Sequence, residues 1–166
     1  AQYSVPPLLV SSLRFWKGDF AALVEPLSVV DVGWQSPRLV IYDAAERQEI
    51  ETVFGRDPLS ETDRGAGLLR RPSDFAVHEE SDRVFVVNAG YGRIEVFKAG
   101  RYLTRWGRRN PDELAFDFSG TTTVIDDMAS GTTHEREVIA GGIALNRQGY
   151  VYVADTFNNR IQKFHP

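Results

Sequence analysis

Three histidines, His78, His134 and His165, are the first residues to question for chemistry. No two of them stand four residues apart, the spacing that puts a pair of imidazoles on one helical face to hold zinc. His134-Glu135 is not continued into the His-Glu-x-x-His run of zinc proteases. Asp126-Asp127 is the densest carboxylate pair, and with nothing drawing other ligands toward it a solvated surface is its expected place. Cysteine is absent from the 166 residues, which removes disulfides, thiolate metal sites and cysteine nucleophiles in one step. Gly65-Ala66-Gly67 lacks the Lys-Ser/Thr of a phosphate loop, and the Gly-x-Ser-x-Gly elbow does not occur. No catalytic residue, metal or cofactor is expected.

Arginine offers the remaining candidates. Arg70-Arg71 form one basic cluster, and Arg105, Arg108 and Arg109 form another beside Tyr102 and Trp106. Arginine next to aromatic rings suits stacking on unpaired bases, and the same pairing anchors protein interfaces. The neighbouring Asp112, Glu113 and Asp117, with a formal net charge of −4, oppose the nucleic-acid reading, which rests on excess positive charge. Tyr102, Arg105, Trp106, Arg108 and Arg109 therefore stand as the candidate protein interface.

The elements that must carry these residues are strands. Hydrophobic residues make up 42% and charged residues 25%, a globular balance rather than a disordered one. Pro and Gly recur too often for long helices. The longest apolar stretch, residues 5–10, contains two prolines and falls far short of the roughly 20 residues a membrane-spanning helix needs. The chain begins Ala1-Gln2, without a signal peptide, which fits a processed product and favours an extracytoplasmic (periplasmic or secreted) location.

Three segments share one grammar of short Val-, Ile-, Phe- and Tyr-rich runs bounded by Gly, Asp, Asn or Pro. Residues 26–32, 38–43 and 50–55 form the first segment. Residues 72–77, 83–88 and 92–97, with a tail at 100–107, form the second, and 141–145, 150–155 and 158–164 the third. Pro26 and Pro72 lie 46 residues apart; Phe75 and Ile143 lie 68 apart, one such period plus an insertion of 22. Periods of about 40–50 residues built from short strands are the mark of propeller blades. The middle runs, 39–42, 84–87 and 151–154, are almost continuously apolar, as in strands covered on both faces. The third runs alternate, Ile94 and Val96 against Glu95 and Ile161 against Gln162 and Lys163, which predicts one dry and one wet face.

At these residues the chain resembles the NHL-repeat family of β-propellers. The match is closest at Gly142-Ile143-Ala144-Leu145 and Gly149-Tyr150-Val151-Tyr152-Val153-Ala154-Asp155, continuing through Asn158-Asn159-Arg160-Ile161. Residues 71–107 resemble the family with Asn88 in the usual place of Asp, and residues 26–55 do so more loosely, keeping Asp43. The expected fold is an all-β, NHL-type propeller, partial with three to four blades or completed by another chain, at about 40–45 residues per blade. Residues 1–24 are expected to form an N-terminal closing or outer strand and residues 25–166 the blades (25–56, 71–107, 141–166), with an insertion at 108–140. Asp43, Asn88, Arg93, Asp155, Asn158, Asn159 and Arg160 are expected to staple blade hairpins, because a carboxylate ending one strand and a guanidinium opening the next can pin the register between them.

The resemblance implies a non-catalytic protein-interaction or scaffold module, recognising partners through loops at 56–71 and 108–135. Family propellers close with five or six blades, so a protein partner or a second copy is expected to supply those missing here. Two alternatives follow from six-bladed relatives: a calcium- or zinc-dependent hydrolase or lyase, with Asp31 and Asn146 facing a central channel, and an RNA-binding NHL domain.

Overall fold

The computed structural model describes residues 8–16, 18–26, 37–43, 48–54, 65–107, 115–127 and 131–165. Among them are thirteen strands in four antiparallel sheets and no α-helix. β1 (Leu8–Trp16), β2 (Asp19–Pro26), β3 (Arg38–Asp43) and β4 (Gln48–Phe54) form the first sheet in chain order. β5 (Asp74–His78), β6 (Arg83–Asn88), β7 (Arg93–Lys98) and β8 (Arg101–Trp106) repeat that order in the second. β9 (Ser119–Asp127) and β10 (Thr132–Ile139) make a separate hairpin, and β11 (Gly142–Leu145), β12 (Val151–Asp155) and β13 (Arg160–Phe164) make a third, three-stranded sheet.

The sheets stack face to face because each strand turns alternate apolar side chains toward a neighbour. Trp16, Ala21, Leu23, Leu39, Ile41 and Phe54 of the first sheet pack against Phe75, Val84, Val86 and Phe97 of the second. Phe54 and Phe97 stack there with centroids 3.9 Å apart. The opposite face of the second sheet, with Phe85, Val87, Ile94 and Val96, packs against Ile143, Val151 and Val153 of the third. Every fully buried side chain of this size contributes about 1.5–3 kcal/mol, so the middle sheet, covered on both faces, is the most strongly held. All of Val84, Phe85, Val86 and Val87 are buried there, whereas in β12 Tyr152 and Ala154 are only half-buried, since no described sheet covers that side.

The first strand of each sheet lies innermost. Asp74 of β5 joins them: its Oδ1 accepts hydrogen bonds from Ser12 Oγ of β1 (2.6 Å) and from Arg14 (2.7 Å), and its Oδ2 accepts from the backbone N–H of Ile143 in β11 (3.0 Å). Three four- or three-stranded meanders whose inner strands meet on one line are consecutive blades of a propeller.

Three expectations need correction. The boundary at 24/25 falls inside β2, and residues 8–26 form a hairpin that opens the first blade rather than a lone closing or outer strand. The run 38–43 is consequently the third strand of its blade, not the second, so Asp43 ends a strand equivalent to β7 and not to β6. The inserted portion is narrower than 108–140. It is the β9–β10 hairpin, whose base is closed by the Ala140 N–H to Phe118 carbonyl bond (2.8 Å). This hairpin occupies much of the predicted irregular loop at 108–135; residues 56–64 and 108–114 lie outside the described residues.

Candidate interaction surface

The best-defined polar cluster is built where β12 turns into β13. Asp155 ends β12 with no exposed surface. The next three residues form a single 3₁₀ turn, and Asn159 closes it in the left-handed region at φ 52°, which Asn tolerates better than most side chains. The turn brings Arg160 back opposite Asp155 in register. Arg160 Nε then donates to Asp155 Oδ2 at 2.7 Å, Gln162 Nε2 donates to the same oxygen at 2.8 Å, and Asn158 Nδ2 lies 3.0 and 3.1 Å from the two oxygens. Asp155 Oδ1 also accepts from the backbone N–H of Asp117 at 2.7 Å, while Arg160 and Asn158 donate to the carbonyl of Ala115. The cluster thus clamps residues 115–117, the segment that leads into the blade. Burial works against the Asp155 charge, but the Asp117 N–H together with Arg160, Asn158 and Gln162 outweighs it and holds the carboxyl below its usual range.

The middle blade carries the same clamp with its charges exchanged. Asn88 stands where Asp155 does, and Glu95, seven residues on, stands where Gln162 does. Asn88 Oδ1 accepts from the Arg70 N–H (2.8 Å), and its Nδ2 donates to the Leu68 carbonyl (2.9 Å) and to Glu95 Oε1 (3.3 Å). Arg93 Nε donates to Glu95 Oε1 at 2.5 Å. Residues 68–70 are therefore held as 115–117 are. Each of the two clamps has one buried carboxylate and one arginine, with one amide in the middle blade (Asn88) and two in the third (Asn158 and Gln162); the carboxylate is on the third strand in the middle blade and on the second strand in the third blade. Burial pushes the Glu95 carboxyl above its usual range, and Arg93, Asn88 and Arg105 pull it only part of the way back; its Oε2 has no hydrogen-bond partner.

Glu95 is the clearest departure from the expected wet face of the third strands: it is fully buried, and Ile161, expected to be dry, is 74% exposed. Glu95 shares its face of β7 with Phe97, which packs against the first sheet, and Asn88 and Arg93 hold its Oε1; among the described residues no blade covers Ile161. Glu95, Gln162 and Asp74 all escaped the sequence reading. The shared seven-residue offset from Asn88 to Glu95 and from Asp155 to Gln162 was the available signal; Asp74, whose counterpart in the third blade is Gly142, left none.

The expected interface residues do not form one patch. Arg105 and Trp106 are consecutive in β8, so their side chains take opposite faces. Arg105 is exposed and pairs across the ladder with Glu95. Trp106 is turned toward the third blade, its ring 6.0 Å from Phe85 and 5.5 Å from Phe164. Tyr102 packs edge-on to Phe97, and Arg108 and Arg109 lie outside the described residues. Asn146 caps its own turn, its Oδ1 accepting from the N–H groups of Gln148 (3.1 Å) and Tyr150 (2.9 Å). Asp31 lies outside the described residues, and Asp126 and Asp127 end β9. His78 ends β5 with Nδ1 2.8 Å from Ser81 Oγ, His134 is exposed on β10, and the His165 ring lies 5.1 Å from that of Tyr150. Among the described residues no three His, Asp or Glu side chains gather as a metal site, and no helix is long and apolar enough to cross a membrane.

Inner strands joined at Asp74, meanders packed on both faces and hairpin turns clamped by Asp or Asn with Arg define an all-β partial propeller. Comparison with family models agrees: residues 139–164 match the NHL repeat, so the third sheet, with its Asp155 clamp, is the part of the chain that is similar to that repeat. A search among curated proteins finds no match to the chain.

Proposed function

We propose that the chain is a non-catalytic protein-interaction module whose ring of blades is completed by a second copy or by a blade-bearing partner. One observation carries this reading. The face of the first sheet that turns away from the second blade presents Leu13 at 51% exposure, Phe15 at 69% and Phe20 at 39%. Phe15 and Phe20 touch edge-on at 5.9 Å, and Ala22, Val24 and Val40 lie buried on the same side. The other face of this sheet meets a neighbouring blade, and this one is built the same way. A contiguous apolar sheet face of this kind favours association. The NHL repeat supports the same reading, since its known propellers work through their surfaces.

Native mass spectrometry of the purified chain tests it. The expected result is a species heavier than the 18.7 kDa chain, either a multiple of that mass or the chain with a protein companion. A single 18.7 kDa species at every concentration, joined by nothing when its source extract is added, overturns it.

A further inference from the structure

We propose that Arg83, Lys98 and Arg101, at one end of the middle blade, form a binding site for a phosphate-type dianion. The register of the second sheet sets His78 opposite Arg83, Arg83 opposite Lys98 and Lys98 opposite Arg101. Residues directly opposed across a ladder share a face. Every strand of the blade therefore gives one basic residue to a single row, on the face that turns Ala76, Phe85 and Val96 toward the third blade. Neighbouring strands lie about 4.8 Å apart, so the outer three members of the row span about 10 Å. The β7–β8 hairpin holds two of them in place. Its loop is Ala99-Gly100, with φ of 48° and 73°, the two-residue form that fixes strand register. The Ala99 N–H also donates to the Asp82 carbonyl at 3.4 Å, tying this turn to the β5–β6 turn.

Like charges set directly opposite one another destabilise a sheet, and the blade pattern does not call for them. The third blade has Asn146, Tyr150 and His165 at the places of His78, Arg83 and Lys98. At the same end of the first blade Trp16 stands opposite Asp19, and Asp43 opposite Gln48. Nor does the chain neutralise the row. Among the described residues Arg83, Lys98 and Arg101 enter no ion pair. Glu79 and Asp82 line a hollow beside Phe15 and Trp16, and Glu79 and Glu80 line another beside His78 and Arg147. His78 is thus met by glutamates, which leaves the three outer cations as the site. Lys98 and Arg101 are exposed and Arg83 is half-buried, so their charge is open to a ligand. A dianion suits them better than a carboxylate, because several oxygens on one tetrahedral group accept from two arginine forks and a lysine together. The group arrives as inorganic phosphate or on a phosphorylated side chain of a partner protein, with the same chemistry in either form.

Inorganic phosphate and the pentapeptide Ala-Ala-phosphoserine-Ala-Ala are titrated separately into the full chain at constant ionic strength. At about pH 7.5 both carry the dianion, and the backbone amide resonances of Lys98 and Arg101 report binding. Saturable shifts with a Kd below about 5 mM are expected for at least one probe. That Kd should rise at least about tenfold in Lys98→Glu and in Arg101→Glu, and stay within about twofold in Lys163→Glu, whose residue lies over Tyr150 in the third blade. Weaker binding of both probes, an equal loss in Lys163→Glu, or equal affinity for the peptide with glutamate in place of phosphoserine overturns the site. Tighter binding of the phosphopeptide than of phosphate assigns the group to a partner protein, and binding no tighter assigns it to the free ion. The site lies across the second sheet from the aromatic face of the first, so its failure leaves the interaction-module reading standing, and a chain that assembles with nothing leaves the site standing.

Discussion

A buried carboxylate stays charged only where enough donors converge on it, and the two clamps differ in how well they meet that condition. Asp155 receives Asp117 N–H, Arg160, Asn158 and Gln162; Glu95 has Arg93 and Asn88 on one oxygen and nothing on the other. The consequences for stability run in opposite directions. Asp155 titrates below its ordinary value near 3.8 in the folded chain, so its stabilisation is present above that pH and is lost as pH falls through the folded value. Glu95 titrates above its ordinary value near 4.5, so the stabilisation linked to its protonated form is full below 4.5 and is lost as pH rises through the folded value. Asp155→Asn is expected to cost about 2 kcal/mol at pH 7, a figure discounted because Arg160 is partly exposed, and to cost less in acid. Glu95→Gln should gain on the parent chain between pH 4.5 and pH 7. Urea midpoints from about pH 2 to pH 7 check both, Asp155→Asn below 3.8 and Glu95→Gln above 4.5, and pH slopes identical to the parent's in those two windows would refute the assignment.

Among elements, the segments that lead into each blade decide what the sequence could and could not disclose. The Asp155–Arg160 hairpin was legible because every member of it but the clamped segment lies within a few residues. The burial of Glu95 was not, because the first sheet, against which that face of β7 packs, is built from residues well upstream, and strand periodicity sees only the strand itself. The first blade was misaligned by one strand for a related reason. Pro26 resembles Pro72 in its surroundings, but Pro72 precedes an inner strand whereas Pro26 ends the second strand of its sheet. The β9–β10 hairpin falls within the expected insertion at 108–140, but the 22-residue excess behind that expectation was reckoned from the same Pro26–Pro72 misalignment. A packing test follows at Gly107, the residue that follows β8 and meets Phe116 of the next incoming segment. It has φ +84°, and a Cβ there would fall 2.3 Å from the buried Phe116 ring. Gly18 has a similar φ of +90° but nothing within 4 Å. Gly107→Ala is expected to cost about 2–4 kcal/mol, combining backbone strain with overpacking, and Gly18→Ala only the strain of about 1–2 kcal/mol. Equal losses in thermal or urea unfolding would show that Phe116 is not held against Gly107.

For the molecule as a whole, the stack of three described sheets is complete in the middle and open at both ends. The two open faces differ in character. The first blade ends in Leu13, Phe15 and Phe20, while the third ends in Ile161 beside Tyr152 and Lys163, whose ammonium lies over Tyr150 and Tyr152. Unlike faces favour a head-to-tail junction, blade against blade, over a like-with-like one, and head-to-tail contacts close a ring only when the rotation per unit allows it. Three blades meeting three more of the same chain would close in that way with both junctions identical, and a partner with a matching terminal blade would serve equally. On the proposed reading, the junction in either case covers the aromatic face of the first sheet. Leu13→Glu combined with Phe15→Glu places two carboxylates on that face without touching the opposite side, where Trp16, Ala21 and Leu23 are packed. Losing two apolar side chains from the junction removes about 3 kcal/mol or more, at least roughly a hundredfold in Kd. Sedimentation equilibrium should therefore show the double variant at the 18.7 kDa of the single chain under conditions where the parent is heavier, with an unchanged urea midpoint at concentrations low enough to keep both as single chains. A variant that stays as heavy as its parent would mean that the association runs through some other surface, and that the first sheet meets water as it stands.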